Sequence, residues 1–194
     1  MKSPLFFCGW GFKPEFFDEL DIAVISWDVI AWSLGIARLV EFLRANSSVN
    51  FNSLLLVACQ ESFPHNYLDE FITAFRKDPY KEMLRFYRKA FWKRQACFER
   101  FKRYLYTSPQ EDFFQLETEL LELTSCEVDL KLIKETFREI TVVVPIYDLI
   151  IAIQRMRKLA SLLGATLVEI AEPHFCFCSS EFMSILEERA TMIR

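Results

Sequence analysis

The sequence predicts an α/β fold in which a mostly parallel sheet is interrupted by an all-helical insertion. Three observations carry this. Short apolar, β-branched runs alternate with helix-like segments at both ends of the chain. Between them, from about residue 62 to 138, the apolar spacing is helical throughout. The runs that return after 138 match the early ones in length and character. With 194 residues, 52% hydrophobic and 26% charged, the chain suits one structural domain with a substantial core.

The first run, Leu5-Phe6-Phe7-Cys8, reads as a strand buried on both faces. It ends in Gly9-Trp10-Gly11, two glycines that let the backbone turn and approach a ligand closely. Pro14 and Glu15 open a short helix to about residue 20. Residues 22–32 form one apolar run broken by Asp28, read as a single strand with an irregular start. It stops at Ser33, passes Gly35 and becomes a helix to about residue 45, with Leu39, Val40 and Leu43 on its buried stripe. Strand, sharp turn with a serine at its apex, then helix is the context of a nucleophile elbow. Small residues flank such a serine; here they are Ala31 and Gly35. After a polar loop, Leu54-Leu55-Leu56-Val57-Ala58 is a third strand.

In the insertion, Asp78-Pro79 places an N-cap before a proline at the first helical position. Ser108-Pro109-Gln110-Glu111 combines a capping box with such a proline. Helices are expected at about 67–77, 79–105, 109–124 and 127–138. Strands follow at 140–144 and 165–170, separated by a helix over 149–163 that stops at Gly164. A terminal helix runs from 179 to about 189. The organisation is a core in two parts, 1–63 and 139–194, around a helical lid at 64–138.

The function classes narrow in turn. Net charge is −4, which disfavours general nucleic-acid binding. The longest apolar stretches, 22–37 and 140–153, carry Asp28 and Asp148 and fall short of the ~18–20 residues that span a bilayer, and no secretory segment is recognised. A cytoplasmic protein is expected, with no membrane or nucleic-acid partner. The six cysteines are scattered in apolar neighbourhoods and read as free thiols. Cys176-x-Cys178 has no histidine at zinc-like spacing, so no metal and no cofactor are expected.

A nucleophilic serine needs a base, and the base an orienting acid. His174, after the last strand, falls at the carboxyl edge of the sheet, where Ser33 also lies and where open α/β sheets bind ligands. His65 follows the third strand at the base of the lid and reads as a lid or pocket-rim residue. Asp148 follows the 140–144 strand and would need a partner among so many apolar neighbours; His174 can be that partner. The order Ser33, Asp148, His174 is that of the α/β-hydrolase triad.

Between Arg76 and Arg103 lie eleven basic residues against three acidic ones, a local excess of eight positive charges on an acidic chain. Lys77, Lys81, Arg85 and Arg88 recur at helical spacing, with Lys89 beside them, as one face. That face is either solvated or a docking surface for an anionic partner. The interleaved Phe86, Tyr87, Phe91 and Trp92 are expected to pack the lid onto the core and form an apolar channel.

These pieces together resemble the α/β-hydrolases, and specifically the pimeloyl-acyl-carrier-protein methyl ester esterases of biotin synthesis, as a short, divergent member. The matching segments are Phe7-Cys8-Gly9-Trp10-Gly11, Trp32-Ser33-Leu34-Gly35, residues 55–62, Tyr147-Asp148-Leu149-Ile150 and Pro173-His174. The resemblance implies a reduced α/β-hydrolase fold and a serine carboxylesterase. Ser33 would be nucleophile, His174 base and Asp148 acid, with the backbone N–H groups of Trp10 and Leu34 as oxyanion hole. It implies an acyl carrier protein bearing a pimeloyl methyl ester as substrate, docked on Lys77, Lys81, Arg85, Arg88 and Lys89. The chain departs from the family pattern at Ala31, where a glycine is usual, and at Cys8, where many relatives have histidine. Asp148 also lacks the usual flanking glycine and Val-Pro. The short 10–33 segment implies loss of a strand and its helix, and an edge that permits a monomer or weak homo-oligomer. Another lidded serine hydrolase, a thioesterase or lipid esterase, and a non-catalytic interaction module remain alternatives.

Overall fold

In a computed structural model, residues 4–19, 27–63, 65–111, 113–123 and 127–192 are described. They build a five-stranded, all-parallel sheet in sequential order β1-β2-β3-β4-β5. The strands are β1 (Leu5–Phe7), β2 (Val29–Trp32), β3 (Phe51–Val57), β4 (Phe137–Pro145) and β5 (Thr166–Ile170). The helices are α1 (Gly35–Ala45) between β2 and β3, α7 (Ile153–Leu163) between β4 and β5, and α8 (Ser180–Met192). Between β3 and β4 lie α2 (His65–Lys77), α3 (Pro79–Ala90), α4 (Gln95–Phe101), α5 (Phe114–Leu123) and α6 (Leu130–Thr136).

The central strands are apolar because both of their faces are covered: all of β2, and β3 from Ser53 onward, are buried, as parallel sheets require. Asp28 interrupts its run for a structural reason. Its carboxylate accepts from the N–H groups of Asn52 and Ser53 at 2.6 and 3.0 Å, while the Ser53 hydroxyl accepts from the Asp28 N–H at 2.9 Å. This cross-link fixes the start of the β2–β3 ladder. On α1, Ile36, Leu39, Val40 and Leu43 form the buried stripe. Gly164 ends α7 in the left-handed region at φ +67°, which glycine adopts without penalty.

Several sequence expectations change at their edges. The strand expected over 22–32 begins at Val29; residues 22–26 of that reading lie outside the described residues. The turn after Lys13 is a 3₁₀ helix, Pro14–Glu19. The helix expected over 79–105 is broken. α3 ends at Ala90, the chain turns through Lys93 at φ +59°, α4 follows, and a 3₁₀ turn closes at Tyr104. The capping box at Ser108 makes only a local turn, its hydroxyl accepting from the Gln110 N–H at 3.3 Å, and α5 starts later, at Phe114. Helix α6 ends at Thr136, where β4 takes over. The helix expected from 149 starts at Ile153, because the Asp148 side chain captures the preceding N–H groups, as described below.

The expectation of six free thiols also fails. Cys97 on α4 and Cys178 after β5 form a disulfide, their Cα atoms 6.2 Å apart. The aromatic packing of Phe91 and Phe101 on Phe175 brings the lid against this loop. Cys8, Cys59 and Cys176 are free and buried; Cys126 lies outside the described residues. Among the described residues no helix is long and apolar enough to cross a membrane.

Candidate active site

Ser33 sits at the end of β2 with φ +56°, a left-handed conformation that costs a non-glycine residue energy and is held by its surroundings. The Ser33 N–H donates to the Val57 carbonyl at 2.9 Å, so the neighbouring strand pins the turn. Two glycines make room for it. A Cβ on Gly35 would lie 1.9 Å from the Phe7 carbonyl oxygen, and one on Gly9 would lie 3.0 Å from the Ser33 Cβ. Ala31 is fully buried and fits without a glycine. The tight turn therefore needs Gly35 and tolerates a methyl at 31.

His174 and Asp148 meet behind β4 and β5. The imidazole Nδ1 lies 2.7 Å from Asp148 Oδ2, and neither side chain is exposed. The other carboxylate oxygen accepts from the Ile150 and Ile151 N–H groups at 2.7 and 2.9 Å. Asp148 is thereby fixed by its own turn, with one oxygen left for the histidine. Such a pairing directs a proton to Nδ1 and leaves Nε2 as the basic atom. Nε2 is buried and has no hydrogen-bond partner among the described residues. Trp32, adjacent to Ser33, holds the histidine from the other side. Its Nε1–H donates to the His174 carbonyl at 3.2 Å and its ring centroid is 5.3 Å from the imidazole. Ser33 Oγ and Nε2 make no hydrogen bond, so proton transfer requires the two to come within hydrogen-bond reach.

The N–H groups of Trp10 and Leu34 donate to no atom of the described residues. Both residues line, with Ser33, a cavity of about 280 Å³. Its other walls are Gln60, Phe63, Leu68, Phe71, Phe86, Leu120, Leu123, Ile150, Ile151, Ala152 and Arg155. The Trp10 ring is clamped edge-on by Phe71, Phe75 and Phe86, while its Nε1–H donates to the Leu116 carbonyl at 2.9 Å. Phe86 also approaches the His174 ring, with centroids 6.5 Å apart. The lid thus forms one wall of the cavity. Cys8 does not face it as a reactive group. Burial pushes its thiol up to about 12, and its Sγ–H points at the Phe12 carbonyl, 3.6 Å away.

The lid is latched to the histidine loop. Arg94 grips Glu172 with two charge-assisted hydrogen bonds, Nε–Oε2 being 2.8 Å. The Phe175 N–H donates to the Ala90 carbonyl at 2.9 Å. Neither contact is visible in sequence spacing.

The basic residues do not form one helical face. Asp78 caps α3 and separates it from α2, so Lys77 belongs to α2. Lys81, Arg85, Arg88 and Lys89 are exposed on α3, and Arg85 pairs with Glu82 at 2.5 Å. A hollow of about 450 Å³ on the lid, lined among others by Arg88, Lys93 and Lys102, contains none of Ser33, Asp148 or His174. His65 begins α2. Among the described residues no cluster has the donors to hold a metal. Sequence reasoning missed Gln60 and Arg155, which enter the cavity from the end of β3 and from α7.

No family model and no curated protein matches the sequence. Solved structures do. An esterase from Exiguobacterium antarcticum superposes with a TM-score of 0.67 at 12% identity, over 85% of this chain and 65% of that one. BioG from Haemophilus influenzae gives 0.65 at 19%, over 89% and 88%. A lipase-esterase related protein from Clostridium acetobutylicum gives 0.67 at 12%, over 96% and 92%. The chain therefore spans just under two thirds of the Exiguobacterium esterase and most of the other two. With a parallel five-stranded sheet, a serine turn after β2 and helices inserted after β3, the chain has the α/β-hydrolase fold.

Proposed function

We propose that the protein is a serine carboxylesterase acting on the methyl ester of a pimeloyl chain carried by an acyl carrier protein. The observation that carries the reaction type is the buried His174–Asp148 pair, whose free Nε2 lies at the sheet edge that bears Ser33. Ser33 Oγ attacks the ester carbonyl while its proton passes to Nε2, and the Trp10 and Leu34 N–H groups receive the developing oxyanion. Collapse expels methanol, which takes the proton from Nε2. Water then gives its proton to Nε2 and attacks the acyl-enzyme; the carboxylic acid leaves as Ser33 Oγ takes the proton back from Nε2, which regenerates the enzyme. Asp148 stays ionised and steadies the imidazolium.

The sequence resemblance supplies the substrate, and two features support it. The apolar cavity is of a size for a short acyl chain. The exposed cations of α3, together with Lys77, suit an acidic carrier, in a cytoplasmic setting and without a cofactor. Labelling with a fluorophosphonate tests the chemistry: one adduct on the wild type, absent from Ser33→Ala, is expected, and an adduct that survives in Ser33→Ala excludes the nucleophile. Rescue of a biotin-requiring strain lacking its own methyl ester esterase tests the substrate; failure of the wild type to rescue removes it and leaves the hydrolase reading intact.

A further inference from the structure

The cavity beside Ser33 is apolar except for two side chains that the ester chemistry does not use. Gln60, just past β3, is 6% exposed and lines it. Its amide has no hydrogen-bond partner among the described residues. Arg155, in the first turn of α7, is the one cation lining it among the described residues. Its Nη1–H makes a single long hydrogen bond, 3.4 Å, to the Ser62 carbonyl, and it pairs with no carboxylate of the described residues. A guanidinium has five donors and is always charged. Arg155 is half-buried, so its remaining donors are left for solvent or for a ligand in the cavity. The Ser62 contact ties Arg155 to the segment that carries Gln60, and both side chains line the same cavity.

Resting on the hydrolase reading, we infer that Arg155 and Gln60 are specificity determinants that bind a carboxyl-derived group on the substrate. That group sits at the opposite end of a short apolar chain from the ester that Ser33 attacks. A carboxylate would take two parallel hydrogen bonds from the guanidinium and a third from the Gln60 amide; a thioester carbonyl would take fewer. The size of the cavity sets the chain. About 280 Å³, at ~30 Å³ per water-sized group, holds on the order of nine heavy atoms. That is the scale of a short apolar chain lying between two oxygen functions. The preference is thus for a chain with an oxygen function at each end, which a general lipid esterase would not have.

The test compares three methyl esters of one seven-carbon chain: the neutral monoacid ester, the half-ester with a free carboxylate, and the half-ester as its pantetheine thioester. In Arg155→Met, kcat/KM for one or both two-ended substrates, relative to the neutral ester, is expected to fall on the order of ten- to a hundred-fold, mainly through KM. Gln60→Leu moves the same ratio less, and Arg155→Lys restores part of it. The substrate with the larger fall identifies whether a free carboxylate or a thioester carbonyl is read. A ratio within two-fold of wild type in Arg155→Met overturns the inference. Failure of the wild type to hydrolyse even the neutral ester bears on the hydrolase reading instead. Calorimetry with whichever seven-carbon product shows the larger fall, the free dicarboxylate or its pantetheine monothioester, then decides the binding site independently: binding weakened ten-fold or more by Arg155→Met supports it, and equal or absent binding in both proteins overturns it.

Discussion

Asp148 Oδ2 lies 2.7 Å from His174 Nδ1 while Asp148 Oδ1 is occupied by the N–H groups of Ile150 and Ile151. One oxygen holds the aspartate in its turn and the other holds the histidine. Asp148→Asn keeps the shape but can present an N–H to Nδ1, which then must accept and forces the proton onto Nε2. Ester turnover is expected to fall by about 10⁴ in kcat, as for the equivalent change in serine proteases, with the melting temperature changed by only a few degrees. Full turnover in this variant would mean that another group orients His174.

The elbow makes a steric prediction. Gly35→Ala drives a Cβ to 1.9 Å from the Phe7 carbonyl oxygen, a backbone atom of β1 that cannot move without breaking its pairing with β2. Destabilisation of about 3 kcal/mol or more, or failure to fold, is expected. Ala31→Gly, which restores the more usual elbow sequence, is expected to cost about 1 kcal/mol, because it frees the unfolded backbone and leaves a small gap in a packed strand. Urea denaturation of both variants checks this; an unaffected Gly35→Ala would show that β1 does not approach the elbow this closely.

The disulfide joins the lid to the loop after His174 across 81 residues of sequence. Closing a loop of that length is worth about 4.5 kcal/mol in the chain-entropy model, with strain subtracting from it. Reduction, or Cys97→Ser, is therefore expected to lower stability by about 2–4 kcal/mol. The effect on turnover should be smaller, because Arg94–Glu172 and the Phe175–Ala90 hydrogen bond still hold the lid. In a reducing compartment the bond would be open. Urea melts with and without dithiothreitol measure the difference; identical midpoints would remove the disulfide from the account.

How much of this was legible differs by residue. The strands and the serine turn could be read because β2 and β3 are buried on both faces and so carry continuous apolar runs. The serine, aspartate and histidine could be singled out because each follows a strand, and a parallel sheet brings such ends to one edge. The Cys97–Cys178 bond was hidden because both cysteines sit among apolar neighbours, where a free thiol packs as well as a paired one. The break at Lys93 was hidden because its residue type does not announce a positive φ; a glycine there would have. Arg155 could not be singled out in the sequence, since only the fold of the lid above it makes a cavity wall of that turn.

The exposed cations of α3 make an ionic-strength prediction. If Lys81, Arg85, Arg88 and Lys89 dock an acidic carrier, Arg85→Glu with Arg88→Glu should raise KM for the carrier-borne ester by about ten-fold or more at low salt. The wild-type KM should climb with salt as the Debye length falls from ~10 Å at 0.1 M to ~3 Å at 1 M. A small neutral ester should respond to neither. Equal effects on both substrates would assign the face to solvation.

The buried thiols make the last prediction, on stability against pH. Burial pushes Cys8 up from its ordinary 9.0 to about 12, and pushes Cys59 and Cys176 up as well. The folded protein therefore keeps these protons where the unfolded chain has released them. Because the folded state binds more protons above pH 9, stability is complete below that value and falls as pH rises from about 9 towards 12. Each thiol lowers stability in the same direction once the unfolded chain releases its proton. The three act together against a net stability of only ~5–15 kcal/mol. Urea midpoints should accordingly fall between pH 8 and pH 10, and Cys59→Ala should flatten that slope by about a third even where it lowers the absolute stability. Over the same range iodoacetamide should leave all three unmodified until the chain unfolds, since the neutral thiol is not the nucleophile. A midpoint unchanged from pH 8 to pH 10, or ready alkylation of Cys59 in the folded protein at pH 8, would contradict the burial on which the argument rests.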